Sequence, residues 1–135
     1  MSLKCATFVC QFFKLNRNVH NQNYIGDVWY NIGHIGLAIG DTSLAYQCFR
    51  LALTADHNHA EAFNNLGVLE MRRGKVEQAR AFFVTAASLS PHLFEPNFNM
   101  ASLSEKTGDL QTAYVVVQVD KKSRGTTIKQ GEDLL

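Results

Sequence analysis

The run Phe63–Ala87, "FNNLGVLEMRRGKVEQARAFFVTAA", is one of three similar runs in the chain. Trp29–Leu53, "WYNIGHIGLAIGDTSLAYQCFRLAL", starts 34 residues before it, and Asn97–Lys121, "NFNMASLSEKTGDLQTAYVVVQVDK", starts 34 residues after it. Laid over one another they agree position by position: Asn31, Asn65 and Asn99; Ile32, Leu66 and Met100; Gly33, Gly67 and Ala101; Gly40, Gly74 and Gly108; Ala45, Ala79 and Ala113; Phe49, Phe83 and Val117. The recurrence settles how the glycines Gly33, Gly36 and Gly40 are read. They follow neither the dinucleotide spacing nor the Gly-Lys-Ser/Thr of a phosphate loop, and a phosphate loop has no reason to return at equal intervals.

The residue types at these positions describe a helical hairpin. A small residue at Gly33, Gly67 or Ala101 lets a first helix approach a second, and Ala45, Ala79 and Ala113 do the same from the other side. Gly40, Gly74 and Gly108 stand where the first helix ends, in the left-handed conformation that a residue without Cβ adopts at low cost. Trp29, Phe49, Phe63 and Phe83 are the expected core, each buried aromatic contributing about 2–3 kcal/mol. Pro91 closes a second helix. The pattern predicts helices over 27–39, 43–55, 61–73, 77–89, 95–107 and 111–119.

This arrangement resembles the tetratricopeptide repeat (TPR) family, whose signature is Trp-x2-Leu-Gly-x2-Tyr, then Ala-x3-Phe-x2-Ala, then Pro. Phe63, Leu66, Gly67, Gly74, Ala79, Phe83, Ala86 and Pro91 fill most of it in the second copy. The first copy has Trp29, Ile32, Gly33, Gly40, Ala45, Phe49 and Ala52, with Gly36 in place of Tyr and His57 in place of Pro. The third has Met100, Ala101, Gly108 and Ala113, then departs at Val117 and Asp120. The resemblance implies an all-α helix-turn-helix solenoid with two complete repeats and a partial third. Expected boundaries are an N-terminal segment over 1–25, a possible helix plus an Asn-rich linker; repeats at about 26–59, 60–93 and 94–119; and a polar tail over 120–135.

Composition leaves few other function classes. The chain has 135 residues, 46% hydrophobic and 19% charged, and a formal net charge of +1, which fits one globular domain. Lys and Arg are scattered apart from Arg72-Arg73 and Lys121-Lys122, so no basic field for a nucleic-acid backbone is expected. Cys5, Cys10 and Cys48 are an odd number at no metal-like spacing, which suits a reducing compartment. Lys4 and the apolar run after it resemble a signal peptide, but Gln11 breaks the run and no membrane insertion is expected. Phe8, Phe12 and Leu15 fall on one helical stripe, as the second helix of a preceding hairpin would place them.

Chemistry-bearing residues are sparse. His57, His59 and His92 read as solvated turn residues rather than metal ligands, and Cys48 as a buried thiol beside core Phe49. No catalytic residue, cofactor or metal is expected.

Solenoids of this kind bind proteins along the groove lined by their first helices. In that register the groove residues are Tyr30, Asn31, His34, Glu61, Asn64, Asn65, Arg72, Glu95, Phe98, Asn99 and Lys106, with Asp27, Val68 and Ser102 beside them. The recurring Asn31, Asn65 and Asn99 could bond a peptide backbone or tie adjacent repeats together. One TPR subclass clamps a chaperone's C-terminal carboxylate with Lys, Arg and two Asn. Tyr30, His34, Glu95 and Asn99 occupy clamp positions here and only Asn65 matches. Acidic Asp27, Glu61 and Glu95 would repel such a ligand.

From about Asp27 to Val119 the wording is similar to the C-terminal repeats of a TPR subunit of the BBSome, the ciliary coat of Bardet-Biedl syndrome. That resemblance implies a non-catalytic scaffold in the transport of membrane proteins to and from cilia. Its partners would be other BBSome subunits and centriolar-satellite proteins, and its place the cytoplasm, centrosome, basal body and cilium. The alternative is a generic TPR adaptor that recruits a peptide-bearing client or chaperone.

Overall fold

Helix reversals come at regular intervals because glycine does. Gly40, Gly74 and Gly108 have φ of +80°, +75° and +77°. Nothing lies within 4 Å of where a Cβ on any of them would stand, so the backbone conformation, not crowding, calls for glycine. The computed structural model describes residues 22–109, 111–113, 118 and 122. Before each glycine runs a first helix: α1 Gln22–Ala38, α3 Ala60–Arg72 and α5 Phe94–Lys106. After the first two come α2 Thr42–Ala55 and α4 Val76–Leu89, and after the third residues 111–113 are helical. No strand occurs among the described residues, and the fold is an all-α stack of helical hairpins.

Side chains start the second helices. The Leu44 N–H donates to Asp41 Oδ1 at 2.9 Å and the Thr112 N–H to Asp109 Oδ1 at 3.2 Å, each satisfying one of the free amides of a helix N-terminus. Lys75, before α4, offers no such bond. Pro96 is in the first turn of α5, where its missing N–H costs no helix bond.

The first two hairpins each close on one aromatic ring. Phe49 and Phe83 are fully buried. A Cβ on Gly33 would stand 2.5 Å from Phe49 Cε1, and one on Gly67 2.5 Å from Phe83 Cε1, inside any tolerable contact. The glycine is therefore the space the ring occupies, as the recurrence of small residues predicts. Ala45, Ala52, Ala79 and Ala86, also fully buried, keep the second helices close. Between hairpins, Phe49 packs with Leu66 and Leu69 of α3, and Phe83 with Leu103 of α5.

Two expectations differ from what is found. The first helix begins at Gln22, so residues 22–25 are helix rather than linker. Ile25 packs against the Trp29 cluster, and a Cβ on Gly26 would meet Asp56 Cβ at 3.0 Å, so this turn is pinned to the end of α2. Phe63 is only half-buried, whereas Trp29, its counterpart, is buried with Cys48, Ala52 and Ala62. At the Cys48 position the second repeat has Phe82, whose ring centroid is 6.2 Å from that of Phe63. Two rings in the space of a ring and a thiol leave one partly in water. The possible helix through Phe8, Phe12 and Leu15, the sixth helix beyond residue 113 and the tail over 120–135 fall outside the described residues, apart from Gln118 and Lys122, which are helical.

Gly67→Ala should lower stability by about 1–3 kcal/mol through overpacking against Phe83, and Phe83→Leu in the same chain should recover part of that loss. Gly74→Ala should cost about 1 kcal/mol through its left-handed backbone, with no recovery from Phe83→Leu. Thermal unfolding of the three single and two double variants checks both halves; equal coupling at the two glycines would contradict the packing argument.

Candidate protein-binding groove

The first helices α1, α3 and α5 stand side by side, joined by polar bonds whose donors recur at one register position while their acceptors differ. Asn65 Nδ2 donates to His34 Nε2 at 3.2 Å, linking α3 to α1. Asn99 Nδ2 donates to Asn64 Oδ1 at 2.9 Å, linking α5 to α3. Both equivalent asparagines thus tie neighbouring repeats, while Asn31 is exposed. Asn64 is buried, so its amide serves that tie rather than an open surface.

Tyr30 is the centre of an aromatic and polar cluster on α1. Its ring meets His34 edge-on at 4.6 Å, Phe49 at 5.7 Å and His59 at 4.7 Å between centroids. Burial raises the phenol above its ordinary value of 10.0, the neighbouring Asn65 amide opposes this, and the charges of Glu61 and Glu95 add to the rise.

His59 is not the solvated turn residue that its sequence context suggests. It is buried and caps α3: the Ala62 N–H donates to its Nδ1 at 3.2 Å. That bond uses the Nδ1 lone pair and assigns the ring proton to Nε2, which faces Asp27 Oδ1 at 3.4 Å. Glu61 Oε2 also lies 3.4 Å from Nδ1, but that lone pair is already engaged. A histidine directly before a first helix, where Ser, Thr, Asp or Asn is usual, was the available signal. His57 and His92 are exposed as expected. Among the described residues no group of three His, Cys, Asp or Glu side chains could hold a metal ion.

Glu70 was also missed. It shares its register with Gly36, where a Cβ would meet the Ala45 N at 2.9 Å, so this position faces the start of the second helix. In the first repeat that start carries the acid Asp41; in the second it carries Lys75 and no side-chain cap, and the acid is the buried Glu70, with Arg73 Nη1 at 3.7 Å from its Oε1.

The exposed remainder has a clear division. Asp27, Glu61 and Glu95 recur at one register position, in the first turns of α3 and α5 and further along α1, and are all exposed; Arg72 and Lys106 are exposed at the far ends of α3 and α5. Phe98, 57% exposed, stacks on exposed Phe94 with centroids 5.4 Å apart. The result is a surface acidic along one edge, basic along the other, with an aromatic pair on α5.

The tetratricopeptide repeat model matches residues 26–59 and 60–93, the two hairpins closed by Phe49 and Phe83. This chain belongs to the tetratricopeptide repeat family. It is 62% identical over 98 residues to tetratricopeptide repeat protein 8 of Homo sapiens and of Mus musculus, and 49% identical over 57 residues to the protein of that name in Caenorhabditis elegans. The human and mouse matches cover 73% of this chain but only 18% and 19% of those proteins, so the chain spans about a fifth of their length. Solved structures of similar fold include MamA, with a TM-score of 0.72 at 16% identity over 79% of this chain and 63% of that one. Another is the second TPR domain of Spaghetti (RPAP3) bound to an HSP90 peptide, with a TM-score of 0.67 at 16% identity over 75% of this chain and 95% of that one. Repeats of this family bind other proteins and are in general non-catalytic scaffolds. No helix among the described residues is long and apolar enough to cross a membrane.

The raised Tyr30 phenol has a pH consequence. A native value above the unfolded one gives stability that is present below about pH 10 and is lost as pH rises through the native value. Tyr30→Phe should therefore soften the loss of stability above that pH, read as the alkaline slope of denaturant midpoints; an unchanged slope would contradict the assignment.

Proposed function

We propose that this chain is a protein-interaction scaffold of the BBSome coat, acting in the transport of membrane proteins to and from cilia. Its partners would be other coat subunits and centriolar-satellite proteins, and it would work in the cytoplasm and at the centrosome, basal body and cilium. The observation that supports this most is the 62% identity over 98 residues to tetratricopeptide repeat protein 8. The fold itself needs far less, since MamA keeps it at 16%. Identity well beyond what packing requires is expected where the exposed surface is also retained for a shared partner.

The surface proposed to meet that partner is the groove of Tyr30, Asn31, His34, Glu61, Asn65, Arg72, Glu95, Phe98, Asn99 and Lys106. Phe98 with Phe94 offers the kind of aromatic anchor on which interface energy concentrates. The acidic register of Asp27, Glu61 and Glu95 disfavours a partner that enters by a free carboxylate. This argues against the second reading, a generic adaptor for a peptide-bearing client or chaperone.

Co-expression of the full chain with BBSome subunits should yield a stoichiometric complex on affinity purification and gel filtration. Phe98→Ala with Glu61→Lys should reduce recovery about tenfold or more at unchanged helical circular dichroism. Recovery of one peptide-bearing client with no coat subunit would replace this proposal with the adaptor reading.

A further inference from the structure

Between the second helices α2 and α4 the surface opens into a cleft of about 320 Å³, lined by Arg50, Leu53, Thr54, His57, Leu66 and Phe82. None of the groove residues takes part in it. Leu66 of α3, fully buried, is the floor; Leu53 and Phe82 are half-buried walls, and Arg50, Thr54 and His57 are exposed at the rim. The volume is at the small end of the roughly 300–1,000 Å³ that binding sites enclose, room for a large side chain of a partner and its neighbour.

The rim is cationic with nothing to neutralise it. Arg50 is the sole charged residue of α2, and the acid of α4, Glu77, lies 3.8 Å from Arg80 at the start of that helix. Asp56, the nearest carboxylate in sequence, is half-buried and accepts from the Asn58 N–H at 3.0 Å. Among the described residues no carboxylate pairs with Arg50. The Thr54 hydroxyl donates to the Arg50 carbonyl at 3.1 Å, so the free donors are the Arg50 guanidinium and His57, whose ring has an N–H in either tautomer.

The stack does not call for these two residues. One 34-residue period on, Arg50 becomes Val84 and His57 becomes Pro91, and α4 still packs on α5. In the first repeat His57 stands where the family signature has Pro. The cation and the donor are thus additions at one junction, beside an apolar hollow. Their sign is opposite to that of Asp27, Glu61 and Glu95 in the groove, so a segment attracted to one surface is repelled by the other.

We propose that this cleft docks an acidic segment of a partner protein: a Phe or Leu side chain enters between Leu53 and Phe82, and an adjoining Asp or Glu carboxylate pairs with Arg50 and accepts from His57. The guanidinium fork suits a carboxylate held by two parallel bonds. The site is separate from the groove, so it stands or falls independently of the coat-scaffold reading.

NMR titration of the full chain with the peptide acetyl-Glu-Glu-Leu-Phe-Glu-Glu-amide, at about 0.15 M salt to screen distant charges, tests this. Amides of residues 50–57 and of Phe82 should shift, and the version with Gln for every Glu should bind about fivefold or more weakly. Arg50→Gln with His57→Gln should cause the same loss for the acidic peptide at unchanged Tm. Lys75→Gln, which removes an exposed charge that does not line the cleft, should leave its affinity unchanged. No shift at the cleft, equal affinity for the two peptides, or an equal loss from Lys75→Gln overturns the proposal. Cleft shifts that grow with protein concentration alone would give the site to a second copy of the chain, and saturation by phenylacetate at the peptide's own concentrations would give it to a small carboxylate; either result also overturns it.

Discussion

A phenylalanine ring seated on a glycine joins the two helices of each complete hairpin, and the rest of the architecture follows from that contact. Phe49 fills the space that Gly33 leaves and presents its other edge to Leu66 and Leu69; Phe83 does the same between Gly67 and Leu103. One ring thus closes its own hairpin and sets the distance to the next. Because both contacts share a rigid side chain with few rotamers, the second hairpin repeats the geometry of the first.

Equal spacing brings the polar ties into line. His34 meets Asn65, and Asn64 meets Asn99, only because the first helices are held at a constant separation. These bonds take part of the groove's polar inventory for internal use, as does the His59 cap. What remains for a partner is the acidic edge, the basic ends and the Phe94–Phe98 pair. Rigid repeats that display a few anchors suit an assembly whose parts must be held at set positions.

Solenoids differ from globules in having ends. Interior helices find a neighbour on both sides, and the terminal one shows the face that the period prepares for a neighbour. Ile35 of α1 is exposed where Leu69 of α3 and Leu103 of α5, at the same register, are buried. Relatives at 62% identity and fold neighbours at 16% separate the two demands on such a sequence. A small set of glycines, alanines and rings maintains the stack, and the many positions left over are available for recognition.

Reading along the chain was enough to recover the hairpins, their turns and the small-against-large contacts. The left-handed glycines and the Gly33–Phe49 and Gly67–Phe83 pairs recur at one period, and steric demands on a repeated backbone leave a repeated trace. The family and the groove's residue set came from the same register. The trace fails where a residue's environment comes from a neighbour that does not repeat. His59 looks like a turn histidine until Ala62, Asp27 and Tyr30 close around it; Phe63 looks like core until Phe82 takes its space; Asn64 looks like groove until Asn99 reaches it. Residues 22–25 look like linker because their support, the end of α2, is about thirty residues away in sequence. Local backbone demands were written in the order of amino acids, whereas burial and bonding between non-equivalent side chains were decided only when the hairpins came together.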